Sequence, residues 1–253
     1  APMAMPDPVS RAILEGLRVV AEGVLPPGWR VVPFGSYVQG TAVEGSALDV
    51  ALVRQGGLGG PGAAAESTAA VEALCSALTS GTANFLVAPR SVPGAGPVRL
   101  LAGDFSGGRR DVKHDILVYV GDEATGRLDM LLARLLDGDP TGRARVFVRL
   151  AKSWARHRGL AGPLPGGSFV WALLAVLALQ RLGALASFGE LCGDVVTTGP
   201  PAAGVSAAAL ALPEDPLSML SLFARLTLDL QAFGQPSADL WAGGLAAAPR
   251  GPP

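Results

Sequence analysis

Lysine is nearly absent from this chain of 253 residues: only Lys113 and Lys152 occur, and arginine supplies the rest of the 20 basic residues. Against 21 acidic residues the formal net charge is −1. There is no global basic field to draw in nucleic acid, so any such contact must come from a local stripe. Cysteine is equally scarce. Cys75 and Cys192 stand far apart with no CxxC spacing, which excludes a disulfide framework and a thiolate zinc site and makes a reducing compartment the default. Long apolar runs are missing too. The longest, Phe169 to Leu179, falls short of the ~20 residues that cross a bilayer and reads as a buried helix. The proline-rich stretch Ala1 to Pro8 holds no secretory h-region. The expectation is an intracellular protein with no membrane partner. A mitochondrial destination stays open, because a cleaved transit peptide leaves no trace.

What the chain does have is apolar mass. Hydrophobic residues make up 49%, enough to build a core and too much for a disordered tail. Ile13, Leu14, Leu17, Val20, Ala21 and Val24 recur at helical spacing and predict a helix over Ser10 to Val24. Alternating short runs predict strands at Arg30–Phe34, Leu48–Val53, Asn84–Ala88, Pro97–Ala102 and Asp111–Val120, with an alanine-rich helix from Ala65 to Thr79 between the second and third. After Gly121 the character changes. Helical patterns follow at about Leu128–Leu136, Thr141–His157, Phe169–Leu182 and Pro216–Phe233. The fold class is therefore α+β, with a mixed part over 26–122 and a helical part over 123–253. The first helix, within 1–25, is assigned to the helical part because so small a mixed core has little room for it.

The stretch Phe34-Gly35-Ser36, followed by Ser46-Ala47-Leu48-Asp49-Val50, carries the chemistry. A strand ending at Gly35-Ser36 and opening a helix offers backbone N–H groups and a hydroxyl to an anion such as a triphosphate. A following strand with acidic residues at i and i+2 would present both on one face, because the strand period is two. Carboxylates so placed hold divalent cations for an in-line phosphoryl displacement. The order of strand, Gly-Ser, a spacer of about ten residues and an acidic strand resembles the signature of the DNA polymerase beta-like nucleotidyltransferase superfamily. That resemblance makes Asp49 the second metal-binding position and Asp115, in Asp111-Val112-Lys113-His114-Asp115-Ile116, the third. Ala47 stands at the first. His114 reads as a hydrogen-bonded neighbour.

A second constellation follows. Arg145, Arg149, Lys152 and Arg156 fall four, three and four residues apart and share a helix face, opposite an expected buried stripe of Phe147, Ala151 and Trp154. Lys152-Ser153-Trp154-Ala155-Arg156-His157-Arg158-Gly159, then Gly167-Ser168-Phe169 opening an apolar helix, resembles the central domain of noncanonical poly(A) polymerases and terminal uridylyltransferases. Asp215-Pro216-Leu217-Ser218-Met219-Leu220 resembles the nucleotide-recognition motif of the same group. The likeness implies that Gly35, Ser36, Lys152, Arg156 and Ser168 hold the triphosphate and that Phe169, in place of a tyrosine, stacks on the base.

The family resemblance implies an RNA 3′-terminal nucleotidyltransferase: Mg2+ as cofactor, a nucleoside triphosphate as substrate with UTP favoured over ATP, and an RNA 3′ end as acceptor. Two departures bear on activity. The methyl group of Ala47 cannot ligate a metal, which predicts an inactive or impaired enzyme. Leu128 stands where the family places a ribose-contacting asparagine. Either Ala47 replaces an aspartate of an active parent, or the chain is a natural pseudoenzyme. In the second case its partners are RNA and the proteins of an RNA-processing or ribosomal particle.

Overall fold

A computed structural model describes residues 8–57, 62–81, 85–87, 97–104, 111–160, 167–192, 212–232, 237–239 and 244–246. Contacts divide the chain into two compact units, Ala1–Met130 and Leu131–Pro253.

The first unit holds α1 (Pro8–Val24), β1 (Trp29–Phe34), α2 (Ser36–Gln39), β2 (Leu48–Arg54), α3 (Ala63–Gly81), β3 (Phe85–Val87), β4 (Val98–Asp104), β5 (Asp111–Gly121) and the start of α4 (Arg127–Asp137). The five strands form one sheet in the order β1-β2-β5-β4-β3. Only the β2–β5 pairing is parallel, with Leu48 beside Ile116 and Asp49 beside Leu117. This is the α+β arrangement expected, and all five expected strands are present.

Strand alternation sorts the sheet into two faces. Val31, Leu48, Val50, Leu52, Val98, Leu100, Ile116 and Val118 point to one core, where they meet Leu14, Leu17 and Ala21 of α1 and Val71, Leu74 and Leu78 of α3. The first helix therefore belongs to the sheet, which corrects its assignment to the helical part. The reason is elementary: a sheet face this apolar must be covered, and the amphipathic stripe of α1 is the nearest cover in sequence. The other face, carrying Asp49, Arg99 and Asp115, is left to the polar chemistry described below.

The helix after Gly35 is a single turn. Gly40 ends it in the left-handed conformation, and Thr41 N–H returns to the Ser36 carbonyl at 2.9 Å. One turn adds almost no macrodipole, so the anion site expected there has only local N–H groups and a hydroxyl. The turn is anchored from below: Thr41 Oγ1–H donates to Gln39 Oε1 at 2.9 Å, and Gln39 Nε2–H donates to Asp129 Oδ1 at 2.5 Å, all three residues being buried.

The second unit holds the rest of α4, then α5 (Arg143–His157), α6 (Ser168–Arg181), α7 (Phe188–Cys192), α8 (Pro216–Ala232) and a short antiparallel ribbon of β6 (Ser237–Asp239) and β7 (Gly244–Ala246). Its core joins Leu132, Leu136, Phe147, Val148, Val176, Leu179 and Phe223. Edge-to-face aromatic contacts run through it: Phe147 to Phe223 at 5.8 Å and Trp154 to Trp171 at 5.7 Å between ring centres. α7 and the ribbon were not anticipated, being too short for periodicity to reveal.

Helix α5 begins at Gly142, which has no side chain to cap it. Asp139 supplies the cap from three residues upstream. Its Oδ2 accepts the Ala144 N–H at 2.7 Å, and its Oδ1 accepts the Thr141 N–H at 2.9 Å and the Thr141 hydroxyl at 2.6 Å. Burial pushes the Asp139 carboxyl up, but these hydrogen bonds and the charge of Arg143 outweigh it and hold the pKa below the ordinary carboxylate range. A lowered folded pKa stabilises the fold above the unfolded value and loses that stabilisation as pH falls through the folded one. Asp139→Ala should therefore lower stability by about 1–2 kcal/mol at pH 7 in denaturant titrations. The gap between the two proteins should narrow below about pH 4. A gap that stays constant from pH 7 to pH 3 would assign the loss to packing and not to the charged cap.

Candidate functional site

The polar face of the first unit is organised by register. Phe34 pairs with Asp49 across β1 and β2, so the Gly35-Ser36 turn leaves the sheet next to the Asp49 carboxylate. Gly35 has φ 73 and ψ −154, a conformation for glycine. A Cβ built there would lie 2.5 Å from Asp49 Oδ2 and 3.3 Å from its Cγ. Position 35 is thus glycine for two reasons, backbone and space, and its lack of a side chain is what seats Asp49.

On the parallel β2–β5 pair, residues at matched register share a face. Asp49 matches Leu117, so Asp115, two residues earlier on β5, lies on the same face. Carried back one residue from Leu48 and Ile116, the same register sets position 47 beside Asp115. Asp49 and Asp115 thus share one face of the sheet, and position 47, which precedes β2, carries only a methyl group. The carboxylate of Asp49 also acts on Tyr119, whose phenol pKa is raised first by burial and then by that charge.

Arg99 was not singled out from the sequence. On β4 it pairs with Leu117, while Leu101 pairs with Asp115, so Arg99 and Asp115 are diagonal neighbours on the same face. The guanidinium forks onto the carboxylate: Nε–H donates to Asp115 Oδ1 at 3.2 Å and Nη2–H to Oδ2 at 2.7 Å. This bidentate pair raises the Arg99 pKa, chiefly through the hydrogen bond. The strand alternation of β4 gave the face, but the partner depended on the hairpin register, which shifts at Ala102/Gly103.

Beside this pair opens a pocket of about 520 Å3, lined by Tyr37, Ser46, Arg99, His114 and Asp115 and rimmed by Glu44. Tyr37 Oη lies 3.5 Å from His114 Nδ1 and donates to the Ser46 carbonyl at 3.4 Å. The rings of Tyr37 and His114 meet edge-on at 6.2 Å. His114 is a hydrogen-bonded neighbour, as its sequence setting suggested, and it is also a wall of the pocket.

The residues present do not make a divalent-metal site of the expected kind. Position 47 offers no ligand, both oxygens of Asp115 are engaged by Arg99, and no cluster of three or more ligating side chains occurs among the described residues.

The remaining expected residues lie in the second unit. Ser168 opens α6 and is exposed, and Phe169 is half-buried against the helical core. Lys152 is only 2% exposed: it falls in the buried stripe with Ala144, Val148, Ala151 and Ala155, and does not stand on a solvated basic face. Arg145 is also committed, to Asp137 at 2.6 Å and the Ala133 carbonyl at 3.3 Å. The four-residue basic stripe is therefore broken, with Arg149 and Arg156 as its exposed members. The buried and the charged stripes lie one residue apart along α5 and meet at Lys152, a conflict only packing resolves. Leu128 is exposed on the first turn of α4.

No family model matches the sequence, and no curated protein matches it. Solved structures do. A crystal structure of mtPAP in complex with UTP aligns with a TM-score of 0.68 at 17% identity, over 96% of this chain and 55% of that one. Terminal uridylyl transferase 4 from Trypanosoma brucei with bound GTP aligns with a TM-score of 0.62 at 20% identity, over 97% of this chain and 75% of that one. The chain thus spans about half the length of mtPAP. No helix among the described residues is long and apolar enough to cross a membrane. The chain has a mixed α+β fold, and it shares that fold with mtPAP and with terminal uridylyl transferase 4.

Proposed function

We propose that this chain is built as an RNA 3′-terminal nucleotidyltransferase and that it is inactive or severely impaired as it stands. The observation that supports the reading is the shared face of Asp49 and Asp115 on the parallel β2–β5 pair, with Gly35 packed against Asp49, in the order the family signature requires. The helical unit is read as the central and nucleotide-recognition domain. By family resemblance, Gly35 and Ser36 in the first unit and Arg156 and Ser168 in the second are the triphosphate contacts and Phe169 is the base-stacking ring, while Lys152, the fifth expected contact, is buried. The 3′-hydroxyl of an RNA attacks the α-phosphorus to release pyrophosphate. UTP is favoured over ATP. Mg2+ belongs to the form with aspartate at position 47.

A second reading, a pseudoenzyme subunit of an intracellular ribonucleoprotein, draws on Ala47, the exposed Leu128 and the Arg99–Asp115 pair together. One assay separates the two. The chain and Ala47→Asp are each given a short RNA, Mg2+ and each NTP in turn, and 3′ extension is read on a gel. Extension by Ala47→Asp, strongest with UTP, is the expected result. A folded Ala47→Asp protein that extends RNA with no NTP would rule out the first reading.

A further inference from the structure

We infer that Arg99 holds the place of a divalent cation on this face, so that the site carries a resident guanidinium where an exchangeable metal would otherwise sit. The inference rests on reading the face as a nucleotidyltransferase site. It goes beyond that reading by assigning the lost metal affinity to two residues and not one.

Three observations lead to it. The first is position. Arg99 lies on the strand next to β5, diagonal to Asp115 and on the same face as Asp49. The second is geometry. The fork uses Arg99 Nε–H and one Nη2–H on the two oxygens of Asp115, the bidentate arrangement in which a guanidinium binds a carboxylate best. A metal ligated by Asp115 would have to share those oxygens with a fixed positive charge or displace it. The third is charge. Asp49, Asp115 and Arg99 sum to −1 where three carboxylates would give −3, and a smaller negative charge holds a divalent ion less tightly. The Arg99 side chain is 56% exposed and that of Asp115 34% exposed, so the pair is no buried structural brace. An exposed pair adds little to stability, which leaves its effect on the neighbouring charges as its main consequence. Arginine keeps its charge at every physiological pH, so the substitution for a metal is permanent.

The test measures metal binding directly, with no RNA or NTP present. Mn2+ is titrated into the full chain, Ala47→Asp, Ala47→Asp/Arg99→Ala and Ala47→Asp/Arg99→Gln, and free Mn2+ is read by electron paramagnetic resonance. Circular dichroism confirms that each protein is folded. The given chain should show no binding up to several millimolar. Removing Arg99 by either substitution should tighten Mn2+ binding at least tenfold relative to Ala47→Asp alone. Adding Asp115→Asn to either double variant should abolish that gain. Equal affinity of Ala47→Asp with and without Arg99 would overturn the inference and leave Ala47 as the whole cause. Millimolar or tighter binding by the given chain would overturn it as well. Because the readout is the metal alone, a negative result here leaves the RNA-extension reading standing, and a failed extension assay leaves the metal result intact.

Discussion

Ala47→Asp is expected to raise the rate of 3′ extension by at least about a hundredfold over the given chain, equivalent to about 2.7 kcal/mol of transition-state stabilisation. The size follows from what position 47 controls. Continued back one residue from Leu48 and Ile116, where it begins, the parallel register of β2 and β5 would set a side chain there beside Asp115 and on the face of Asp49. Aspartate would complete the three-carboxylate donor set suited to paired divalent cations, which a methyl group cannot do. The half-exposed Ala47 lies before β2 and not in the core, so an aspartate there displaces no core side chain, while the Arg99 fork on Asp115 stays in place. In the same background, Asp49→Asn and Asp115→Asn should each return the rate to that of the unmodified chain. Full activity in either would show that the register brings together residues the reaction does not use. Rates are best compared at several Mg2+ concentrations, because the Arg99 fork is expected to shift the concentration needed and not the outcome.

Gly35→Ala should be costly for the addition of one methyl group, losing about 2–3 kcal/mol and lowering Tm by roughly 5–10 °C. The new Cβ would meet Asp49 Oδ2 at 2.5 Å, Cγ at 3.3 Å and Cβ at 3.4 Å. The carboxylate can swing aside, but the rest of the side chain is fixed to a central strand. The backbone at φ 73 and ψ −154 is strained for alanine whatever Asp49 does. Two comparisons divide the cost. Gly56→Ala meets nothing within 4 Å at φ +85 and should lose only about 1 kcal/mol, the backbone share alone. Gly35→Ala/Asp49→Ala should recover part of the loss, the steric share. If Gly35→Ala and Gly56→Ala unfold at the same temperature, the close approach of Asp49 contributes nothing, and Gly35 is glycine for its backbone only.

The Gly35 position also couples folding to chemistry. A side chain that displaces Asp49 moves a proposed ligand, so in the Ala47→Asp background Gly35→Ala should reduce extension even at temperatures where the protein is fully folded. That separates loss of geometry from loss of stability.

Much of the molecule was legible in its sequence. Each of the five strands of the main sheet and the six longer helices among the described residues was expected from local sequence signals. The acidic signature was legible because a strand fixes which residues share a face. That position 47 carries only a methyl group needed no structure at all. Three things were decided only by tertiary packing. Helix α1 went to the sheet because an apolar sheet face, assembled from strands far apart in sequence, had to be covered. Lys152 sank into the buried stripe of α5 because the neighbouring helices set which part of that helix is inside, and its charged neighbours in sequence do not. Arg99 met Asp115 because the β4–β5 register, shifted by an irregularity at Ala102/Gly103, chose that diagonal over its alternatives. Periodicity fixes the face a residue lies on; only pairing between distant segments fixes what stands opposite it, and the character of this site depends on that second choice.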